Sequence, residues 1–301
     1  MTRPTRGTPA GRAYLDLQNR ARADGRGTQE LLTLYVVERW LARLSVSPHA
    51  EQFVLKGGML LAAFDARRPT ADLDALARDF ANDEATVVTR VVAIANQPVP
   101  DDGVDFRTRT VTSRVIREED VYSGVRIAMD CAIATAIVKL RLDVNFGDPI
   151  TPAPQPIELP ALRPGEPPIR ILGYPLETVL AEKIATAITL GPANTRMRDY
   201  ADIYTLIGSR PVTHAAAREA LLATAAYRGV DVVALSSVIG DMVAVRGKTY
   251  EAYRSGLGPE GGNLPSDFMT VAQAVTAFAD RLADEAPPSI RWDMSTRLWI
   301  G

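Results

Sequence analysis

The sequence predicts an α+β fold in its first part and a mainly helical fold behind it, and three observations carry that reading. Short apolar runs broken by glycine pairs and prolines lie among helical-period segments between residues 28 and 95. Residues 137–146, IVKLRLDVNF, alternate strictly: Val138, Leu140, Leu142, Val144 and Phe146 take one face, and Lys139, Arg141, Asp143 and Asn145 the other. From residue 175 onward the apolar spacing is helical almost throughout.

Taken in order, residues 1–12 are expected to form a flexible arm. Residues 28–46 read as a helix, with Leu31, Leu32, Tyr35, Val36, Leu41 and Leu44 near helical spacing. Phe53-Val54-Leu55 is a short strand ending at Gly57-Gly58, MLLAAFDA a helix, and Ala71–Leu76 a second strand. Residues 81–95 are helical, and several strands follow within 104–146. Seven of the 21 prolines fall in 151–170, which reads as a linker or an excursion at a sheet edge. Helices are expected at 175–190, 198–207, 213–226 and 267–284, the last capped by Asp267 or Ser266, with a loop at 255–265.

Composition narrows the chemistry. The 301 residues are 47% hydrophobic, enough for a sizeable core. Lys and Arg number 34 against 36 Asp and Glu, a formal charge of −2, so no basic coat for nucleic acid exists, though a local basic cleft is allowed. Cys131 stands alone, and His49 and His214 are the only histidines. Zinc sites of the Cys/His kind are thereby excluded, and catalysis falls to carboxylates and lysines. No signal peptide or membrane span is evident, and a reducing cytoplasm fits best.

The stretch VLKGGMLLAAFDARRPTADLDAL, residues 54–76, carries the chemistry. Asp72 and Asp74 at i and i+2 on a strand share one face, with Leu73 turned to the core. At about 4 Å and an effective dielectric near 20, two such carboxylates repel by roughly 4 kcal/mol. A divalent cation relieves this, and Mg²⁺ commonly pairs one or two carboxylates with substrate phosphates. Asp143 is a candidate third carboxylate. Gly57-Gly58, between strand and helix, lets the backbone approach a phosphate.

This order resembles the DNA polymerase beta-like nucleotidyltransferase superfamily: hydrophobic, Gly, Gly or Ser, a spacer, Asp-x-Asp or Glu, then a carboxylate on a separate strand. More narrowly it is similar to the AbiEii-type nucleotidyltransferase toxins of type IV toxin–antitoxin systems, including the mycobacterial toxins of this kind. The match rests on LKGGMLLAAF…TADLDAL, on LRLDVNFGDPI, and on YPLETVLAEKIATAI followed by NTRMRDYADIYTL. It covers about residues 50–207. The chain departs from the pattern at Gly58, where many members carry Ser, and at Val144-Asn145, where the family has Ile-Gly.

The resemblance implies a nucleotidyltransferase domain over 1–170, a mixed sheet flanked by helices, and a helical domain over 171–301 contributing to the cleft. It implies Mg²⁺ bound by Asp72, Asp74 and Asp143, with Asp143 acting as ligand or base. Lys56, Gly57, Gly58, Thr70 and Lys183 would hold the nucleotide, and Asp202 would complete the site. Arg67, Arg68, Lys139, Arg141, Arg196 and Arg198 are candidates for RNA contact. The expected activity is transfer of a nucleoside monophosphate from an NTP to an RNA acceptor, the tRNA 3′ end, with loss of pyrophosphate. The expected partner is a cognate antitoxin, and the expected state a monomer.

The residues by themselves leave plainer readings open. Asp143 could pair with Lys139 or Arg141 along its own strand, Asp202 with Arg198, and Asp199 with Arg196 or Arg198. Lys183 could face solvent beside Glu182, and Arg67-Arg68 could be a solvated turn. Arg107, Arg109, Arg114, Arg117 and Arg126 could line an RNA groove, although Glu118, Glu119 and Asp120 lie among them. Trp292 and Trp299 read as packing anchors. A small-molecule acceptor, as in aminoglycoside-modifying enzymes, and a catalytically silent binding module are the rival functions.

Overall fold

The computed structural model describes residues 3–70, 72–118 and 122–301, with the side chains of 117, 118, 122 and 123 outside the described set. The chain divides into two compact units, Met1–Gly147 with Gln155–Gly173, and Asp148–Pro154 with Tyr174–Gly301.

The first unit opens with two helices, α1 (Pro9–Ala23) and α2 (Thr28–Ser45). Helix α1 overlaps the expected arm. Thr8 caps it by accepting from the Gly11 amide at 3.1 Å, and Pro9 sits at the first helical position, where its missing N–H is no loss. Only Gly11, Ala13, Leu17 and Ala21 are buried along it. So narrow and small a stripe gives little apolar signal in the sequence.

Strand β1 (Phe53–Lys56) leads into α3 (Gly57–Leu60), a single helical turn continued by a 3₁₀ turn over Leu61–Phe64. The expected eight-residue helix is thus tighter and starts at the glycines. Strand β2 (Leu73–Ala77), α4 (Glu84–Ala95), β3 (Asp105–Phe106), β4 (Thr112–Glu118), β5 (Tyr122–Ile133) and β6 (Ala136–Asn145) follow. Strands β7 (Gln155–Leu159) and β8 (Ile169–Gly173) lie within the proline-rich stretch, which is therefore an edge excursion.

The mixed sheet runs β3-β5-β6-β2-β1-β8-β7, with β4 also paired to β5. Among the described residues, only β1–β8 and β2–β6 pair in parallel. Helix α2 packs on β6 and β8. Trp40 meets Phe53 edge-on at 6.0 Å, and Phe80 bridges Phe53 at 5.4 Å to Phe146 at 5.5 Å. Val138, Leu140, Leu142 and Val144 of β6 are fully buried, whereas Lys139 and Arg141 are exposed on the opposite face. That open, polar face belongs to the charged residues.

In the second unit, α5 (Leu176–Leu190), α6 (Met197–Ser209) and α7 (His214–Arg228) match the expected helices to within a few residues. Thr178 ties residues 148–154 to α5, donating to the Thr151 carbonyl at 2.8 Å and accepting from its amide at 3.0 Å. Three short helices come next, α8 (Leu235–Ile239), α9 (Met242–Val245) and α10 (Gly247–Gly256), then α11 (Phe268–Ala279), capped by Asp267. Part of the expected 255–265 loop is helical: α10 ends at Gly256, and Gly258–Asn263 is a 3₁₀ turn. A terminal hairpin, β9 (Arg291–Asp293) and β10 (Leu298–Ile300), closes the chain. Trp292 and Trp299 clasp Phe278 at 5.0 and 4.9 Å, and Trp292 donates to the Ile207 carbonyl at 2.8 Å, so both are packing anchors. Among the described residues, no helix is long and apolar enough to cross a membrane.

Candidate active site

Strand register assembles the site. On β1, Lys56 stands opposite Asp74 of β2; Asp74 stands opposite Asp143 of β6; Asp143 stands opposite Arg126 of β5. Directly opposed residues on neighbouring strands point to the same face. Four charges from four strands therefore form one row, cation, anion, anion, cation. The two aspartates come from residues far apart in sequence, and the parallel β2–β6 pairing is what makes them neighbours.

The glycines accommodate carboxylate and hydroxyl groups rather than open space. Gly57 has φ +69°, and a Cβ built on it would lie 2.0 Å from Asp74 Oδ2. Glycine at 57 thus allows both the left-handed backbone and the carboxylate packed against it. A Cβ on Gly58 would meet Thr70 Oγ1 at 2.9 Å and an Arg68 guanidinium nitrogen at 3.2 Å. Thr70 donates to the Asp72 carbonyl at 3.2 Å, fixing the entry to β2. Asp72 Oδ1 is buried without a hydrogen-bond partner. Such an orphaned acceptor is costly unless a ligand satisfies it.

Asp143 is 9% exposed and is gripped by Arg126, Nε to Oδ1 at 2.6 Å and Nη2 to Oδ2. Its hydrogen-bonded partner is thus a cross-strand arginine, while Lys139 pairs with Asp130 at 2.8 Å. The bond to Asp143 holds the guanidinium more firmly protonated than usual, with Asp72 and Asp74 adding to the field. Arg126 consequently lies within electrostatic reach of all three carboxylates.

The second unit holds its own charge network. Lys183 on α5 donates to Asp199 at 2.9 Å and to Asp202 at 2.8 Å, both on α6. Arg196 donates to the other oxygen of Asp199 at 2.6 Å. Burial works against the Lys183 charge, but Asp202 and Asp199 outweigh it and raise its pKa. Burial likewise opposes the Asp199 charge, and Lys183 and Arg196 overcome it, holding the carboxyl at about 2. Asp202 contacts Lys183 in this arrangement; Arg198 is exposed.

A family model for the nucleotidyl transferase AbiEii toxin of type IV toxin–antitoxin systems matches residues 39–294. The chain belongs to the AbiEii nucleotidyltransferase toxin family. It is accordingly a nucleotidyltransferase, and a family of paired toxins and antitoxins gives it a cognate antitoxin as partner. Two solved structures from Helicobacter pylori are similar in fold. That of JHP933 is 16% identical, with a TM-score of 0.49, covering 85% of this chain and 93% of its own. That of a putative nucleotidyltransferase is also 16% identical, with a TM-score of 0.47, covering 85% and 96%. No curated protein matches by sequence.

Whether this AbiEii site suits Mg²⁺ can be judged from its donors. Among the described residues, no three His, Cys, Asp or Glu side chains converge as a ready-made metal cage. Asp143 is turned to Arg126 instead. A Mg²⁺ ion that keeps waters and takes substrate phosphates needs only one or two carboxylates. Asp72, with its orphaned oxygen, and Asp74 beside the Gly57 backbone meet that requirement with hard oxygen donors.

The basic candidates of the first unit have separate surroundings. Arg67 donates to the Pro160 carbonyl at 2.9 Å, and burial lowers its pKa even with Glu38 nearby. Arg68 lies against Gly58 and reaches the Pro69 carbonyl at 3.3 Å. Lys139 and Arg141 are exposed on the same strand face as Asp143. Of the arginines that could line an RNA groove, Arg107 lies 3.6 Å from Asp105 and Arg126 holds Asp143, while the Arg117 side chain and the interspersed Glu119 and Asp120 fall outside the described residues. Sequence reasoning missed the Arg126–Asp143 pairing, because cross-strand register between β5 and β6 is not written in either strand alone.

Proposed function

We propose that this enzyme transfers a nucleoside monophosphate from an NTP to a hydroxyl of an RNA acceptor, the tRNA 3′ end, and thereby blocks translation. The observation that carries the reading is the in-register Asp74–Asp143 pair beside the orphaned Asp72 oxygen. Asp72 and Asp74 would hold Mg²⁺, with Asp143 joining them. When bound, the ion would supply charge neutralisation at the triphosphate.

The chain's own residues do the rest. Gly57 and Gly58 would keep side chains away from the segment that receives the triphosphate, and Thr70 would turn its hydroxyl from the Asp72 carbonyl to a phosphate oxygen at the same place. Lys56 supplies a cation to the row. The acceptor oxygen bonds to the α-phosphorus, the bond to the β-phosphate oxygen breaks, pyrophosphate leaves, and Asp143 accepts the hydroxyl proton. Lys139 and Arg141, exposed on the Asp143 face, would meet RNA phosphates, with Arg67, Arg68, Arg196 and Arg198 as further candidates. Lys183 keeps one N–H beyond those given to Asp199 and Asp202, which it would offer to the triphosphate.

Purified protein incubated with total RNA, Mg²⁺ and each labelled NTP in turn tests this. Label is expected in the tRNA band on a denaturing gel, with one NTP preferred. Label entering a small molecule while RNA stays dark would move the enzyme to the antibiotic-modifying class. Expression in a host should arrest growth, and Asp72→Ala should abolish the arrest.

A further inference from the structure

Arg126 is the charged residue of the row that the transfer chemistry leaves unexplained. It takes both oxygens of Asp143, and its side chain is 37% exposed against 12% for Asp143. The arginine therefore has room to turn into solvent, whereas the aspartate is mostly buried on a central strand. Three carboxylates, Asp72, Asp74 and Asp143, share this neighbourhood with Lys56 and Arg126. Turning Arg126 outward would make the charge around the three carboxylates more negative by one, which favours a dication. A guanidinium and a divalent cation also seek the same carboxylate oxygens and repel each other.

We propose that Arg126 is the site's internal counter-cation: it holds Asp143 in the metal-free protein, competes with the divalent cation for that carboxylate, and swings out when the cation binds. The inference rests on the reading of Asp72, Asp74 and Asp143 as cation ligands. It also accounts for three carboxylates sharing one neighbourhood, since the guanidinium on Asp143 offsets part of their repulsion. Arg126 is in this sense a positioning residue, acting through Asp143.

Mn²⁺ titration without nucleotide, reading free Mn²⁺ by its electron paramagnetic resonance, tests the proposal on wild type, Arg126→Gln, Arg126→Lys and Asp72→Asn. Arg126→Gln should bind Mn²⁺ at least tenfold more tightly than wild type, equivalent to about 1.4 kcal/mol. Arg126→Lys, which keeps the charge and loses the fork, should fall between them. Asp72→Asn should bind weakly. A second readout is taken on the wild type and needs only the conservative variant Arg126→Lys, not Arg126→Gln, to fold. The Arg126 Nε–H resonance of the wild type, assigned by its absence from Arg126→Lys, should exchange slowly with water and become fast-exchanging as Mg²⁺ is added.

Equal Mn²⁺ affinity in wild type and Arg126→Gln, with an Nε–H signal indifferent to Mg²⁺, overturns the competition and leaves the cation site standing. Should Arg126→Gln not fold, the wild-type signal decides alone. Absence of Mn²⁺ binding in every protein, with or without NTP, or undiminished binding by Asp72→Asn, overturns the cation reading itself.

Discussion

Replacing Lys183 by Met removes one ammonium and leaves two carboxylates behind, and the structure sets the size of the effect. Asp199 and Asp202 are 5% and 4% exposed at their side chains, so neither can recover hydration without movement of α5 from α6. Breaking a buried pair by deleting one partner costs about 3–5 kcal/mol. An independent figure comes from Asp199, whose carboxyl is held at about 2. At about 1.4 kcal/mol per pH unit of displacement, that net stabilisation is about 2 kcal/mol, the amount by which Lys183 and Arg196 exceed the cost of burial. Arg196 still donates to Asp199 in the variant, so the low end, about 3 kcal/mol, is expected. At about 2.1 cal/mol/K per residue, 301 residues unfolding together would lose about 5 °C in Tm.

The pH dependence has a definite sign. The folded-state pKa of Asp199 is depressed, so its contribution is present above the ordinary aspartate range and is lost as pH falls toward about 2. The gap in Tm between wild type and Lys183→Met should be largest near neutrality and should narrow as pH falls from about 4 to about 2. Differential scanning calorimetry across that range is the assay. Unchanged Tm at pH 7, together with weakened NTP binding, would refute the structural reasoning and leave Lys183 as a phosphate ligand alone.

Other outcomes follow from the first unit. Asp72→Ala and Asp74→Ala should each abolish labelling of RNA while the metal-free fold stays intact or gains slightly in Tm, because a repelling neighbour is gone; activity near wild type in either variant contradicts the site. Gly57→Ala should lose about 1–3 kcal/mol of stability and most activity, since the new Cβ lies 2.0 Å from Asp74 Oδ2 at a φ of +69°; a urea midpoint equal to wild type would be inconsistent with that packing. Arg141→Glu should weaken RNA modification most at low salt, with the difference from wild type shrinking as salt rises; a salt-independent loss would place Arg141 outside the RNA path.

Much of this was legible from the residues, and what was hidden has physical causes. The alternation of IVKLRLDVNF placed β6 and its polar face correctly because one side of the strand is buried and the other is not. Helices α5, α6, α7 and α11 carry wide apolar faces and announced themselves in the same way. Helix α1 did not, because its buried stripe is mostly alanine and glycine. The short α8 to α10 and the terminal hairpin are held by tertiary contacts, such as Trp292 and Trp299 around Phe278, which no local period encodes. In the site, the aspartates could be named from their spacing, but their opposite numbers could not. Asp143 reaches across to Arg126 on the neighbouring strand, where the sequence suggested Lys139 or Arg141 on its own. Lys183 was read as a phosphate contact, and its two aspartate partners became visible only when α5 and α6 were laid side by side.

The parallel pairing of β2 with β6 makes the spacing of the aspartates a matter of alignment and not of chain length. The loops between β2 and β6 can grow or shrink by several residues without moving Asp74 from Asp143, provided β5 keeps Arg126 in register with Asp143. A single residue inserted within β6 ahead of Asp143 has the opposite character. It would invert the strand, turning Leu142 and Val144 outward and Asp143 into the apolar layer beneath α2. Drift in this enzyme is therefore free along the loops and forbidden along one strand. An insertion scan read by growth arrest should trace that boundary to the residue.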